Sequence, residues 1–395
     1  MESDKILTTK GDRYTVFSLW DTYRNVHQLL TLVYPERQLQ MVRSMLDMYR
    51  EHGWLPKWEL YGRETLTMEG DPSIPVIVDT WLKGLRDFDI ELAYEAMRKG
   101  ATLPGAENLL RPDNDDYVSL GYVPLREQYD NSVSHALEYY IADNALSRIA
   151  AALGKKEDAR LFHERSLGYK HYYCKEYGTF RPILPNGEFY APFDRGRERT
   201  LSRTPDFTKV VPGTILSMFP RCERLARLMG GKKPFVDKLQ RVFDEGLYDP
   251  ANEPDIAYAH LFSYFKGEEW RTQKELHRLL QKYFKNAPDG IPGNDDTGTM
   301  SAWAIFNMMG FYPDCPGEPA YTLSTPVFDK VTIKLDLNIG TRPTGDRDGT
   351  PVAESLYIRE MELGGKKLSR YRITHEELVQ SGNCDLVFDR YCESG

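Results

Sequence analysis

The chain has 395 residues and a formal net charge of −8, a balance that argues against a nucleic-acid partner because phosphate binding needs a basic surface. Hydrophobic residues make up 41 % and charged residues 28 %, the composition of a soluble globular protein long enough for one large domain or two ordinary ones. No apolar run reaches the roughly 18 residues that span a bilayer, and Met1 to Lys10 is charged rather than leader-like.

From about 17 to 312, apolar residues recur at three- and four-residue spacing between short Gly, Pro or Asn turns, which predicts helical hairpins. Helices are expected near 22–33 and 37–52. The stretch 53–65 is too rich in aromatics, Gly and Pro for a helix and reads as a structured connector, with Trp54 and Trp58 in the core or at a site, and with Glu59 and Glu64 as candidate acids. Further helices are expected near 74–86, 89–99, 131–153, 157–173, 213–229, 233–243, 254–266, 270–284 and 299–309. After Pro316 the texture alternates, as in 330–336, 355–363 and 385–388, and predicts an antiparallel β tail in which 338–353 is a long exposed loop. The fold class is therefore mainly α with a C-terminal β region. The five cysteines, Cys174, Cys222, Cys315, Cys384 and Cys392, show no paired metal-ligand spacing and read as thiols rather than a zinc site.

Acids cluster at three predicted helix starts. Gly293-Asn-Asp-Asp-Thr-Gly-Thr-Met-Ser-Ala-Trp303 packs Asn294, Asp295 and Asp296 into the turn before an apolar helix, where the positive helix end favours ionised carboxylates; this suits a general base or a cation ligand. Ordinary N-capping is the competing explanation. Asn252-Glu253-Pro254-Asp255 places oxygens at another start, again with capping as the alternative. In Ser18-Leu-Trp-Asp-Thr-Tyr-Arg24, Trp20, Asp21 and Arg24 could serve a sugar pocket as platform, acceptor and donor, or form a cap with a snorkelling arginine. No nucleophile elbow, P-loop, zincin or dinucleotide signature accompanies them, and His27, His135 and His260 lack ligand spacing.

Taken in this order, Phe17 to Arg24, Trp58 to Thr65, Ser132-Val-Ser-His-Ala-Leu-Glu-Tyr139, Asn252-Glu-Pro254, Gly293 to Gly310 continuing as Phe311-Tyr-Pro313, and Thr374-His-Glu-Glu-Leu378 resemble glycoside hydrolase family 92, a family of calcium-dependent, inverting α-mannosidases with an (α/α)6 barrel. The resemblance implies that Asp296 is the general base and that Asn294 stands where many members carry a second aspartate. It implies sugar contacts from Trp20, Asp21, Arg24, Trp58, Glu64, Asn252, Glu253 and Asp295, and a Ca2+ site drawn from Asn252, Glu253 and Asp296. A mannose-containing glycan is the implied partner, and the implied setting is periplasmic or secreted.

Two departures from the family pattern stand out. Where the family carries the glutamate that protonates the leaving oxygen, this sequence has Lys209, or within one residue Thr208, and neither is a carboxyl group; the paired histidines after Asn-Glu-Pro are replaced by Ile256 and Ala257. Three outcomes follow: an acid from elsewhere, such as Glu198 or Glu64; a mannosyl-phosphate substrate whose leaving group needs no protonation; or a carbohydrate-binding pseudoenzyme. A helical scaffold that binds a peptide is the reading from a different class. The chain is also expected to begin at the helical domain, with 1–16 an extension, 17–316 the barrel and 317–395 the β region, and to lack an N-terminal β-sandwich that another chain would supply.

Overall fold

In the computed structural model the described residues are 8, 11–126, 131–191, 222–328, 331–334, 338–343, 356–379 and 383–391. Lys209, Thr208 and Glu198, on which the question of the acid turns, lie outside them. The chain divides into two compact units, Met1–Tyr23 with Pro35–Met218, and Arg24–Tyr34 with Phe219–Gly395.

The first unit is built on helices Pro35–His52, Ser73–Leu82, Ile90–Thr102, Asn114–Leu120, Ser132–Ala152 and Lys156–Arg165. Ile90–Thr102 starts where the Asp89 carboxylate accepts the Leu92 N–H at 3.0 Å, an ordinary side-chain cap. Ser132–Ala152 is buried around its circumference, so it is a central helix rather than an amphipathic one. Its buried acids are matched. Glu138 accepts from Tyr23 Oη at 2.8 Å, and Asp143 accepts from Arg111 Nη1 at 2.8 Å and Tyr117 Oη at 2.9 Å, with Arg165 Nε at 3.1 Å. Arg111, 0 % exposed, also reaches Asp71 at 3.3 Å; burial raises the Asp71 pKa and the guanidinium opposes that rise.

The connector after helix Pro35–His52 is a small sheet. Phe17–Ser18 pairs with Trp58–Leu60, which pairs with Arg63–Glu64, all antiparallel. Strands of two or three residues carry no readable alternation, which is why the sequence suggested only a connector.

The second unit contains helices Val26–Val33, Cys222–Leu228, Lys232–Asp244, Glu269–Tyr283 and Thr299–Met309. The helix expected over 254–266 is instead a 3₁₀ helix, Glu253–Tyr264. Within it the Ile256 carbonyl accepts from the Trp303 indole at 2.7 Å, a partner outside the helix. Five strands follow in the order Lys366–Leu368, Tyr357–Leu363, Asn383–Tyr391, Asn338–Pro343, Val331–Lys334. Strand Asn338–Pro343 corrects the loop expected from 338: it pairs in parallel with Asn383–Tyr391, from Asn383 against Asn338 to Phe388 against Pro343, so one pairing of the sheet is parallel and the others antiparallel. A second, three-stranded sheet orders Arg372–Thr374, Ala320–Leu323 and Phe311–Tyr312. The chain is mainly α, as its periodicity predicts.

Candidate active site

The turn before helix Thr299–Met309 holds the described non-glycine residues of the second unit that take positive φ. Gly293 takes φ +68°, and a Cβ there would stand 2.6 Å from Ala251 Cβ, so only glycine lets this turn approach the one that leads into Glu253. Asp296 and Thr297 follow with φ of 45° and 56°, in the left-handed region that costs a non-glycine residue about 1 kcal/mol or more. Gly298, at φ 97°, stands at the N-cap. The other described non-glycine residues at positive φ are Val16, Tyr61, Leu66 and Met68, all in or beside the small sheet of the first unit.

This backbone divides the labour between two adjacent carboxylates. Asp295 Oδ1 accepts from Ser301 N at 2.9 Å and Ser301 Oγ at 2.8 Å, so Asp295, three residues ahead of the N-cap Gly298, satisfies a free N–H of the first turn in place of a capping side chain. Asp296 contributes its main-chain carbonyl to Thr299, from N at 3.3 Å and Oγ1 at 2.9 Å. Its carboxylate accepts no hydrogen bond from the described residues. The capping explanation thus applies to Asp295 and leaves Asp296 Oδ free. Asn294, the neighbour on the other side, is exposed.

The free carboxylate faces a second acid. Oxygens of Glu253 and Asp296 come within 4.8 Å of one another, and Glu253 is only 6 % exposed. Oxygen ligands of one calcium ion stand about 2.3–2.6 Å from it and hence within about 5 Å of each other, so this pair fits a shared hard cation. Beside it, Asn252 Nδ2 donates to Asp255 Oδ1 at 3.0 Å, and Asp249 N donates to Asp255 Oδ2 at 3.0 Å. Burial nevertheless pushes the Asp255 pKa up to about 7. With its amide nitrogen spent on Asp255, Asn252 keeps Oδ1 as the atom that could ligate.

Arg24, buried, belongs to the second unit, as does Asn25, which donates from Nδ2 to Thr299 O at 3.1 Å and to Tyr312 Oη at 3.3 Å and so ties the start of helix Val26–Val33 to helix Thr299–Met309. Trp20 and Asp21 are buried in the short helix Leu19–Thr22 of the first unit. Glu64, in that unit, has an unforeseen local task. Its carboxylate accepts from Lys57 N at 2.7 Å, Trp58 N at 3.0 Å and Leu66 N at 2.7 Å, stapling the loop that holds Trp58. Glu59 does the same for Val16 N, Gly62 N and Thr15 Oγ1. Asn25 and Trp303 carry no functional signal in the sequence: a lone amide and a helix-face indole look like core, and their partners lie far away along the chain.

A model of the glycosyl hydrolase family 92 catalytic domain matches residues 1–390. An uncharacterized secreted glycosidase from Arthroderma benhamiae is 26 % identical over 388 residues, covering 88 % of this chain and 48 % of that protein. The family 92 inverting mannosidase structure from Bacteroides thetaiotaomicron superposes with a TM-score of 0.84 at 31 % identity, covering 95 % of this chain and 53 % of that one. A family 92 α-mannosidase from the same organism, solved with mannoimidazole, gives 0.82 at 30 % identity, covering 96 % and 51 %. This chain spans about half the length of the relatives it matches.

Proposed function

The chain belongs to glycosyl hydrolase family 92, and on that premise we propose that it serves a glycoside hydrolase which cleaves α-mannosidic linkages with inversion, using Asp296 as general base. The observation that carries this reading is the division of labour at the turn: Asp295 satisfies the helix start while Asp296 keeps its carboxylate free beside Glu253. In an inverting reaction one carboxylate removes a proton from a water attacking the anomeric carbon on the face opposite the leaving group. A left-handed backbone that holds one carboxylate out of the capping network suits that task.

Calcium is the proposed cofactor, held by Glu253 and Asp296 with Asn252 Oδ1, the remaining ligands being water or sugar hydroxyls. When bound it would supply positive charge against which a mannose diol is oriented. Trp20, Asp21, Arg24, Trp58, Glu64 and Asp295 are the proposed sugar-contacting set, with Asn294 beside the base. A mannose-containing glycan is the proposed substrate, and the relative called secreted supports an extracytoplasmic setting. No described helix is long and apolar enough to cross a membrane.

The second reading rests on Lys209 and Thr208, which stand where the family resemblance calls for an acid. A lysine favours an anionic leaving group such as phosphate, which departs without protonation. Assays of α-1,2-mannobiose beside a synthetic α-mannosyl phosphate separate the readings. Release of β-mannose from either, followed by proton NMR and lost in Asp296→Asn, supports a hydrolase; the substrate that turns over identifies the leaving group. Calorimetric mannose binding without turnover of either leaves only a lectin-like role, and retained turnover in Asp296→Asn removes Asp296 as the base.

A further inference from the structure

We propose that Trp303 and His260 are positioning residues that hold Glu253 and Asp296 at the spacing a cation requires, an inference that rests on the calcium reading above. Two buried rungs join the base-bearing helix to the 3₁₀ helix. Trp303, 1 % exposed, donates its indole N–H to Ile256 O at 2.7 Å, and Asn307 Oδ1 meets His260 Nε2 at 2.8 Å. Asn307 Nδ2 is committed to Trp303 O at 2.8 Å, which leaves Oδ1 toward the imidazole and puts the His260 proton on Nε2. On the α-helix Trp303 and Asn307 stand four residues apart and so share one face, and both of their partners, Ile256 and His260, lie on the 3₁₀ helix.

Both rings are fixed in plane. Phe284 stacks on Trp303 at 5.2 Å, and Tyr312 stacks on His260 at 4.2 Å. From the first rung, each carboxylate is a short, rigid step away. Asp296 is bonded through its carbonyl to Thr299, one helical turn before Trp303. Glu253 lies one 3₁₀ turn, three residues, before Ile256. The path Asp296, Thr299, Trp303, Ile256, Glu253 is therefore a closed brace, and loss of a rung lets the 3₁₀ helix slide against the base turn. Neither Trp303 nor His260 needs to touch the ion or the sugar for this effect.

Calcium titration of the full chain by isothermal calorimetry tests the brace without any turnover assay. Trp303→Phe keeps the stacked ring and deletes only the N–H; its calcium Kd should rise about tenfold, the lower end of what outer partners of metal ligands contribute. His260→Phe should do the same, while His260→Gln, whose amide can still reach Asn307, should restore near wild-type affinity. Tyr321→Phe is the control: it removes another buried aromatic hydrogen bond of the same unit, to His375 at 2.9 Å, and should leave Kd unchanged. Should Trp303→Phe fail to fold, the His260 pair decides. Wild-type affinity in Trp303→Phe and His260→Phe, or an equal loss in Tyr321→Phe, overturns the brace. A wild-type chain that takes up no calcium overturns the calcium reading itself, and this inference with it.

Discussion

The adjacent aspartates Asp295 and Asp296 should respond to mutation with opposite signs. Asp295→Ala removes both bonds to Ser301 and should destabilise by about 1 kcal/mol, the usual cost of a lost N-cap. Asp296→Gly should stabilise the calcium-free protein. Glycine relieves the left-handed φ of 45°, worth about 1 kcal/mol. It also ends the repulsion between two carboxylates within 4.8 Å, worth about 1 kcal/mol at the solvent-screened end because Asp296 is partly exposed. At roughly 2–4 °C per kcal/mol for a unit of this size, Tm should fall by about 2–4 °C in the first variant and rise by about 4–8 °C in the second. Thermal melts in EDTA measure both. Calcium should then raise the wild-type Tm and leave Asp296→Gly nearly unmoved, because one of the proposed ligands is gone. A lower Tm for Asp296→Gly than for wild type in EDTA would show that the turn stores no strain or repulsion and would refute this account.

Three further outcomes follow from other sites. Burial depresses the His260 pKa from 6.5 to about 4, so the unfolded chain takes up a proton that the folded one refuses; this group's stabilisation, about 3 kcal/mol, is present above pH 6.5 and is lost as pH falls to 4. Asp255, raised to about 7, works the other way, losing its contribution as pH rises from about 4 to 7, so His260→Gln should expose that slope as a stability decline with rising pH in denaturant titrations. Arg111→Met leaves Asp71 and Asp143 buried without their main cation and should cost about 3–5 kcal/mol at pH 7, read from urea midpoints; a neutral result would mean that this guanidinium does not balance their charge in the native protein. Glu64→Ala frees three backbone N–H groups and should make the 57–66 loop cleavable by protease under conditions where the wild-type loop is resistant, whereas equal protection would deny its stapling role.

Much of the helical order could be read from the sequence because it depends on local periodicity. The expected 299–309 and 131–153 correspond to Thr299–Met309 and Ser132–Ala152. What stayed hidden depends on distant partners. The parallel pairing of Asn338–Pro343 needs a strand that starts at Asn383, and the tight winding of Glu253–Tyr264 involves an indole at Trp303. The acidic turns were visible as composition, yet sequence alone could not apportion cap and free carboxylate between Asp295 and Asp296, since that choice is made by φ at Asp296 and Thr297. Glu59 and Glu64 likewise looked like candidate acids, although Glu64 is bound by backbone N–H groups of its own loop and Glu59 by Thr15 and Val16, more than forty residues earlier, as well as by Gly62.

Helix Val26–Val33 belongs to the second unit, although nearly all of that unit lies beyond Phe219. Asn25 must therefore wait for Thr299, 274 residues later, before its amide has a partner. At about 5–20 residues per second on the ribosome, the delay is on the order of tens of seconds. During synthesis the early helix lacks the partners against which His27, Gln28, Thr31 and Leu32 are buried in the finished unit, and a chaperone that shields it should raise the yield of native chain. A circular permutant that starts near Phe219 and runs from the last strand through a flexible linker into residue 11 would have Thr299 made before Asn25, and its yield should depend less on such a chaperone.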